Sequence, residues 1–271
     1  MICPGRQQPR SYWAFGLQLD PPRSILITGA SSGIGEALAL LYAGIGVSLA
    51  LTGRDAARLA EVAGACRARG AAVVSATVDE ADEAGLARFI HEADAAAPLD
   101  LVIANAGISS TLHDLAHLDA QVRRTFDVNV TGVFNTLHPA IACMLPRRRG
   151  QLAIVSSMAG FRGLPGAFAY CASKAAVKVY GEGLRGRLAR AGIAVTVVCP
   201  GYVQSRMTAR NKFPMPLIMD AERAARIIRR GLRRNRGRIA FPWPIYVLAR
   251  LFAALPEALI DRLSRRLPEK R

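Results

Sequence analysis

A glycine-rich segment near the start of the chain has the composition and spacing of a phosphate-binding turn. It reads Thr28-Gly29-Ala30-Ser31-Ser32-Gly33-Ile34-Gly35 and lies between a short apolar run and a helical pattern. Glycine permits a tight turn and close approach of the backbone to a ligand. The following helix offers free N–H groups and a partial positive charge. The segment therefore predicts a pyrophosphate-binding turn, with a simple tight turn as the alternative.

The glycine spacing resembles the first motif, TGxxxGIG, of the short-chain dehydrogenase/reductase family. Further family motifs are matched in order over Ser24–Gly201: Asn105-Ala106-Gly107, Asn129, Ser157, Tyr170 with Lys174, and Pro200-Gly201. Each match falls at the strand or helix where the family carries it. The resemblance implies an oxidoreductase that transfers a hydride between a nicotinamide dinucleotide and a carbonyl or alcohol.

Tyr170 and Lys174 are the expected acid–base pair. They lie four positions apart in a helical pattern, so they share one face of the helix. A free tyrosine, with a pKa of about 10, is a poor acid–base group at neutral pH. A nearby ammonium group, with the oxidised nicotinamide, favours the phenolate and lowers that pKa. The resemblance further implies that Lys174 binds the nicotinamide ribose and that Asn129 holds a water linking Lys174 to solvent.

Two adjacent serines lie at the end of the fifth predicted strand, Leu152–Ser156: Ser156 is its last residue and Ser157 follows it. The family's catalytic serine lies 13 positions before its tyrosine, which selects Ser157 in this chain. Side chains alternate along a strand, so Ser156 is expected to point elsewhere. Ser157 would hold the substrate oxygen by a hydrogen bond as charge develops there.

The end of the second predicted strand, Leu51-Thr52-Gly53-Arg54-Asp55, bears on the choice of cofactor. NAD enzymes of this kind place an acidic residue there to bind the ribose 2′-hydroxyl. Gly53 takes that position, and Arg54, which follows, can pair with a 2′-phosphate. Asp55 comes late and is expected to cap the next helix. We therefore predict NADP(H) as the cofactor rather than NAD(H).

Other dinucleotide contacts are expected from the resemblance. Asp79, after the third strand, matches the family's adenine-contacting aspartate, with a turn residue as the alternative. The remaining contacts come from the glycine turn and from the ends of the fourth and sixth strands: Thr28, Gly29, Ser31, Ser32, Gly33, Ile34, Gly35, Asn105, Ala106, Gly107, Pro200, Gly201 and Val203. Tyr170 and Lys174 complete the set.

From Ser24 onwards, short apolar runs alternate with helical patterns, which is typical of parallel strands covered on both faces. We predict an α/β fold: a doubly wound, Rossmann-type parallel sheet with helices on both faces and a helical C-terminal extension. One helix is expected over Ala120–Leu145, ended by Pro146. The predicted organisation is a disordered leader (1–23), a Rossmann-type domain (24–241) with a substrate lid (202–219), and an amphipathic basic helical extension (242–271).

The charge is strongly positive and unevenly distributed. The formal net charge is +16 over 271 residues, and the 17 basic and 5 acidic residues of Arg206–Arg271 contribute +12 of it. A solvated arginine-rich surface and an anionic partner both explain this excess. No recognition motif accompanies the arginines, so nucleic-acid binding is not expected.

Two regions near the C-terminus leave alternatives open. The predicted lid contains mostly apolar residues, which suits an apolar substrate, although a packed lid would look the same: Phe213, Pro214, Met215, Leu217, Ile218 and Met219. In the extension, apolar residues alternate with arginines. That pattern suits an interfacial helix on anionic lipid, or a cover packed on the domain or on a second subunit.

The remaining features bound the function class. Five separated cysteines without a CxxC pair fit a reducing, cytoplasmic location, with peripheral membrane contact left open. No stretch reaches about 18 apolar residues, so no membrane-spanning helix is expected. His113 and His117 lack an HExxH context, so no metal site is expected. The family often forms homo-oligomers. The alternative function is a non-catalytic nucleotide-binding regulatory or scaffold protein, which would not need Tyr170 and Lys174 together.

Overall fold

A sheet of seven strands organises the computed structural model, which describes residues 18–109, 117–209 and 214–264, with side chains as far as Ile260 in the last range. The strands are β1 (Ser24–Ile27), β2 (Ser48–Gly53), β3 (Ala72–Thr77), β4 (Leu101–Ala104), β5 (Gly150–Val155), β6 (Ile193–Pro200) and β7 (Arg238–Phe241). Their order is β3-β2-β1-β4-β5-β6-β7, and all neighbours are parallel. The predicted doubly wound, Rossmann-type sheet is confirmed.

Helices cover both faces of the sheet. They are α1 (Gly33–Tyr42), α2 (Ala56–Ala68), α3 (Glu83–Ala96), α4 (Leu118–Phe126), α5 (Gly132–Arg147), α6 (Phe168–Ala189), α7 (Arg206–Ala209), α8 (Ala221–Arg233), α9 (Trp243–Ala254) and α10 (Glu257–Ser264). A π-helical turn, Asp127–Thr131, joins α4 to α5, and 3-10 turns at Met158–Phe161 and Pro165–Ala167 precede α6. Helices α1, α2 and α8 pack on one face, and α3, α5 and α6 pack on the other.

Strand β1 shows how the sequence builds both layers. Its side chains alternate between the faces. Ile25 and Ile27 therefore join the core under α1, α2 and α8, and Leu26 joins the core under α3, α5 and α6. All three are fully buried. Each such side chain contributes about 1.5–3 kcal/mol to stability, which anchors the strand next to the glycine turn.

Aspartates begin three of the helices. Asp55 accepts a hydrogen bond from the Arg58 backbone N–H (3.1 Å) and so caps α2, as predicted. Asp82 and Asp220 begin α3 and α8 in the same way. Each cap satisfies an N–H group that the helix itself leaves unpaired.

The long helical stretch before β5 differs from the prediction in how it ends. From Leu118 to Arg147 it is continuous, and Pro146 lies inside its last turn. It ends at Arg148, which is left-handed with a φ of 50°. Burial of the α5 face, with Met144 in the core, outweighs the one hydrogen bond that a proline removes. By length and composition alone this run could cross a membrane, but half of its most apolar window is buried, as in a core helix.

The two ends of the chain meet the fold differently. Residues 1–17 of the predicted leader lie outside the described residues. At residues 18–23 the Leu19 backbone N–H donates to the Arg233 carbonyl at the end of α8 (2.8 Å). At the other end, α9 follows β7 directly and packs against the 3-10 turn Met158–Phe161. The extension beyond Ser264 lies outside the described residues.

Candidate active site

The candidate active site lies at the carboxyl ends of β1 and β4, where the strand order reverses. Open parallel sheets bind ligands in the crevice at this point. The Thr28 hydroxyl, directly after β1, accepts hydrogen bonds from the backbone N–H groups of Asn105 (3.1 Å) and Ala106 (3.2 Å). The Asn105 side chain donates in return to the carbonyls of Thr28 (3.0 Å) and Gly29 (3.1 Å). The two loops at the crevice are thereby locked together.

The glycines of the turn are required by its shape. Gly29 has a φ of +64°, and a Cβ there would lie 2.8 Å from the Ala106 Cα. Gly33 has a φ of +59°, another left-handed conformation. A Cβ on Gly35 would overlap the Gly29 carbonyl oxygen and the Asn105 amide. Side chains are excluded at these positions, which leaves a cradle of backbone.

The start of α1 faces this cradle and suits a pyrophosphate. Ser32 is the N-cap residue in an extended conformation, and its side chain makes no capping hydrogen bond. Ser31 lies against the end of β2, because a Cβ on Gly53 would come within 3.1 Å of its hydroxyl. Ile34 packs against the buried core and anchors the first turn. Backbone N–H groups at a helix N-terminus, next to a cradle without side chains, fit the diphosphate of a dinucleotide.

Helix α6 carries Tyr170 and Lys174 one turn apart, as their spacing predicts. Lys174 is only 3% exposed. Its ammonium group donates to the Val155 carbonyl at the end of β5 (2.9 Å) and lies 5.8 Å from the centre of the Tyr170 ring. The contact between α6 and β5 therefore holds the amine beside the phenol.

The two adjacent serines after β5 point in different directions. The Ser157 side chain lies close enough to Tyr170 to lower its pKa, and its hydroxyl accepts a hydrogen bond from the Ala159 backbone N–H (3.1 Å). The Ser156 hydroxyl is buried and donates to the Lys174 carbonyl (2.7 Å). Ser157 thus lies with the tyrosine, and Ser156 fastens α6 to the sheet.

Burial shifts the titration of both members of the pair, because a charged group is less stable away from water. It raises the pKa of Tyr170, and the nearby Ser157 side chain opposes this only in part. It lowers the pKa of Lys174 to about 8. The protein groups alone do not produce the expected lowering of the Tyr170 pKa. That lowering stays a prediction for the complex with an oxidised dinucleotide.

Asn129 lies in the π-helical turn and is fully buried. Its side-chain oxygen accepts from the Ile108 backbone N–H (2.7 Å), and its amide donates to the Ile108 carbonyl (2.9 Å) and the Ser173 hydroxyl (3.0 Å). A Cβ on Gly107 would lie 3.1 Å from the Lys174 Nζ and 3.2 Å from the Asn129 Oδ1. The glycine therefore lets the asparagine and the lysine approach one strand end.

At the far end of the crevice the site is exposed and charged. Arg54 follows β2 and is exposed. The Asp79 carboxylate accepts from the Ala81 backbone N–H (3.0 Å) and from the Arg124 guanidinium of α4 (2.6 Å). Burial alone would raise the pKa of Asp79, but these two donors and the charge of Arg54 hold it below its ordinary value. The region thus combines a paired carboxylate with an accessible arginine.

Comparison with known proteins decides the family. The family model described as short chain dehydrogenase matches residues 23–214. The chain belongs to the short-chain dehydrogenase family. An uncharacterized oxidoreductase from Myxococcus xanthus is 40% identical over 246 residues, which cover 90% of this chain and 97% of the relative. This short-chain dehydrogenase is therefore an oxidoreductase, as its motifs imply.

Solved structures of short-chain dehydrogenases share the fold. One from Sphingobium yanoikuyae, in complex with NADPH, has a TM-score of 0.75 and 26% identity over 91% of this chain and 97% of that one. Another from Mycobacterium paratuberculosis, bound to NAD, has a TM-score of 0.73 and covers 80% of this chain and 95% of that one. Its 24% identity shows the fold alone. Members with this fold thus bind either nicotinamide dinucleotide.

Two parts of this short-chain dehydrogenase site did not emerge from its sequence. Arg124 pairs with Asp79 although 45 positions separate them, and nothing in the α4 pattern distinguishes it from a surface arginine. Ile108 takes part through its backbone, which leaves no trace in the residue type. The spacing of hydrophobic residues also gives no sign of the π-helical turn that carries Asn129.

The segment after β6 is held by backbone hydrogen bonds near both of its ends. Gly201, after Pro200, donates its N–H to the Phe241 carbonyl (2.7 Å). Val203 forms a parallel bridge with Met219, and both are buried. Of the apolar lid residues, Leu217 and Ile218 are exposed. Phe213 and the rest of 210–213 lie outside the described residues. Packing in the core accounts for the apolar side chain of Met219. It does not account for those of Leu217 and Ile218, which are exposed.

Proposed function

We propose that the protein is an NADP(H)-dependent oxidoreductase acting on a carbonyl or alcohol, with Tyr170 as the general acid or base. The observation that carries this is the meeting of three side chains at one strand end. Ser157 lies close enough to Tyr170 to lower its pKa, and the Lys174 ammonium lies 5.8 Å from the Tyr170 ring. General acid–base catalysis of this kind contributes about 10² to 10⁴ in rate.

Each residue has a separate part in carbonyl reduction. Bound NADPH supplies the hydride. The Ser157 hydroxyl donates to the substrate oxygen, and Tyr170 gives its hydroxyl proton to the same atom. Lys174, an ammonium below a pH of about 8, stabilises the phenolate left behind. Asn129 holds the Ile108 backbone beside the lysine, and we assign to this region the water that returns a proton.

The preference for NADP(H) is proposed from the exposed end of the crevice. Arg54 is accessible directly after β2, and Gly53 stands where a carboxylate would select a ribose hydroxyl. A guanidinium can bind a 2′-phosphate through two parallel charge-assisted hydrogen bonds. Asp79, held by Arg124, is the proposed adenine contact.

We propose an apolar substrate, because Leu217 and Ile218 expose apolar surface on the segment that follows the Pro200-Gly201 turn. A cytoplasmic homo-oligomer is the expected form of the protein. A screen of aldehydes, ketones, steroids and fatty-acyl carbonyls with NADPH, followed by loss of NADPH absorbance, would identify the substrate class.

The variant Tyr170→Phe tests the proposed function. It is expected to lower kcat/KM by about 10² to 10⁴ and to leave NADPH binding, measured by calorimetry, unchanged. Tyr180→Phe is the matched control, since Tyr180 lies on the same helix but its hydroxyl bonds to His138 (2.9 Å). Equal activity in Tyr170→Phe and the wild type would refute the assignment and favour a non-catalytic nucleotide-binding role.

A further inference from the structure

Helix α9 presents apolar side chains to solvent where a surface helix ordinarily carries polar ones. Trp243 is 74% exposed, Leu248 and Leu251 are each 62% exposed, and Val247 is 44% exposed. Their spacing places them along one side of the helix. We call these four residues the α9 strip. The sequence pattern predicted an amphipathic helix, but α9 is apolar on its exposed side as well.

The other side of α9 already covers the domain. The Tyr246 ring packs edge-on against Phe161 at 5.7 Å between ring centres, and its hydroxyl accepts from Arg238 (3.0 Å). These contacts attach the helix to the 3-10 turn Met158–Phe161 and to β7. Packing on its own domain therefore explains one side of α9 and leaves the α9 strip without a role.

We propose that the α9 strip docks on an anionic membrane surface. Tryptophan and leucine on one side of a helix insert at the boundary between headgroups and acyl chains, and arginine favours anionic lipid. Arg250 is the one charged residue of α9, and it is exposed. The net charge of +16 also draws the molecule as a whole towards negative lipid.

The same charge and the size of the α9 strip argue against a second copy as the occupant. Two copies meeting strip to strip would bring their exposed Arg250 side chains towards each other, and like charges oppose association. A stable protein interface also uses about 20 to 30 residues a side, whereas the α9 strip has four. Among the described residues that follow α9, Leu259 is the one large hydrophobic residue that is exposed.

The α9 strip begins beside the candidate active site. Pro242, directly before α9, lies against Gly201, where an added Cβ would meet its ring at 3.1 Å. Docking would therefore place lipid next to the turn that opens the substrate segment. A membrane-dissolved carbonyl or alcohol is the substrate class that this position favours, a consequence that rests on the proposed function. The docking itself does not.

Flotation of the full chain with vesicles tests the docking. With vesicles of phosphatidylcholine and phosphatidylglycerol at low salt, the protein is expected to float. With phosphatidylcholine alone, or at high salt, a smaller fraction should float, because the electrostatic part is screened. Tyr170→Phe is expected to float like the wild type, so a failure of docking and a failure of catalysis are seen separately. A protein that stays with the soluble fraction under all conditions overturns the proposal.

Variants assign the binding to the α9 strip. The double variant Leu248→Gln/Leu251→Gln keeps the charge and is expected to lower the partition coefficient by more than roughly tenfold, from lost apolar burial. Arg250→Gln is expected to lower it by about fivefold. Ile45→Gln, at an almost fully exposed apolar residue in the loop after α1, is the control and should leave it unchanged. Thermal unfolding checks that each variant folds. Equal flotation of the double variant and the wild type overturns the proposal.

Two further measurements distinguish a membrane from a second copy of the chain as the partner of the α9 strip. In a Trp13→Phe protein, Trp243 is the one remaining tryptophan, and its fluorescence should shift to shorter wavelength with anionic vesicles. Light scattering after gel filtration should show the same oligomeric state for the wild type and the double leucine variant. A dimer that the double variant converts to monomer would mean that a second copy covers the α9 strip, and the membrane proposal would be wrong.

Discussion

The two ends of the candidate site differ in burial and in the groups that hold their side chains. At the buried end, Lys174, Asn129 and Ser157 are held by hydrogen bonds to backbone groups at the ends of β4 and β5. At the exposed end, Arg54 is accessible, and the Asp79–Arg124 pair is about two-fifths exposed. Water screens charges strongly at the exposed end, whereas Lys174 and Asn129 at the buried end are almost fully shielded from bulk solvent. The buried end is therefore suited to fixing atoms for proton transfer, and the exposed end to adjusting affinity for a cofactor.

A large loss of activity is expected when the buried end is broken at its serine. Ser157→Ala is expected to lower kcat by about 10² to 10³ with little change in KM for NADPH, because its hydroxyl acts on developing charge. Ser156→Ala is the matched control: it removes a bond to the Lys174 carbonyl and should lower stability by about 1 kcal/mol while keeping most of the activity. If Ser156→Ala lost more activity than Ser157→Ala, the two serines would have been assigned in the wrong order.

The next prediction concerns stability, which is expected to increase in the variant. Lys174→Met is expected to abolish turnover and to raise the free energy of unfolding at pH 7 by about 2 kcal/mol. Burying the ammonium, whose pKa falls from 10.5 to about 8, costs about 3 kcal/mol. Loss of the hydrogen bond to Val155 destabilises the variant by about 1 kcal/mol, and this offsets part of that gain.

The pH dependence supplies the control for this variant. Below pH 8 the Lys174 amine is protonated in both the folded and the unfolded wild type. The variant therefore shows its full gain in unfolding free energy there. Between pH 8 and 10.5 the folded protein has lost the proton and the unfolded chain has not, so wild-type stability rises and the gain shrinks. Urea unfolding at pH 7 and above pH 10.5 measures this. An equal gain at both would show that burial of charge is not its cause.

A smaller effect is expected at the exposed end. Arg54→Gln should raise KM for NADPH by about tenfold, from the loss of a charge-assisted contact, and leave KM for NADH unchanged. The difference should shrink at high salt. Arg88→Gln, at an exposed arginine of α3, makes the same change of charge away from the crevice and should alter neither constant. A ratio of NADPH to NADH efficiency below one in the wild type would contradict the assignment of Arg54.

The smallest expected effect concerns the Asp79–Arg124 ion pair, which could not be predicted from the sequence. Arg124→Gln should change KM for NADPH by less than about fivefold, since an exposed pair contributes at most roughly 1 kcal/mol. Steady-state kinetics at two salt concentrations measures it. An effect larger than that of Arg54→Gln would mean that Arg124 contacts the dinucleotide itself.

The contrast between the ends also explains what could be predicted. The spacing of Tyr170 and Lys174 specifies one helix face, and the glycines specify a turn, because both follow from local backbone geometry. The central strands are predictable because burial on both faces leaves continuous apolar runs, as in β1, β4 and β6. These signals lie within a few residues of one another in the chain.

What sequence reasoning missed depends on packing between distant segments. Arg124 reaches Asp79 only because the fold brings α4 close to the loop that follows β3. Pro146 stays inside α5 because the core holds the helix against the proline's local preference. Which side of α9 faces the domain could not be predicted either, since periodicity alone does not show it. Each of these needs the positions of other elements, which no short pattern contains.

The most direct test of the account is a crystal structure of the protein with NADP⁺. The account predicts the diphosphate at the glycine turn and the nicotinamide ring beside the Tyr170 hydroxyl, with the Lys174 amine on its ribose. A dinucleotide bound with its nicotinamide away from α6, or with Tyr170 and Lys174 turned away from it, would contradict the proposed chemistry.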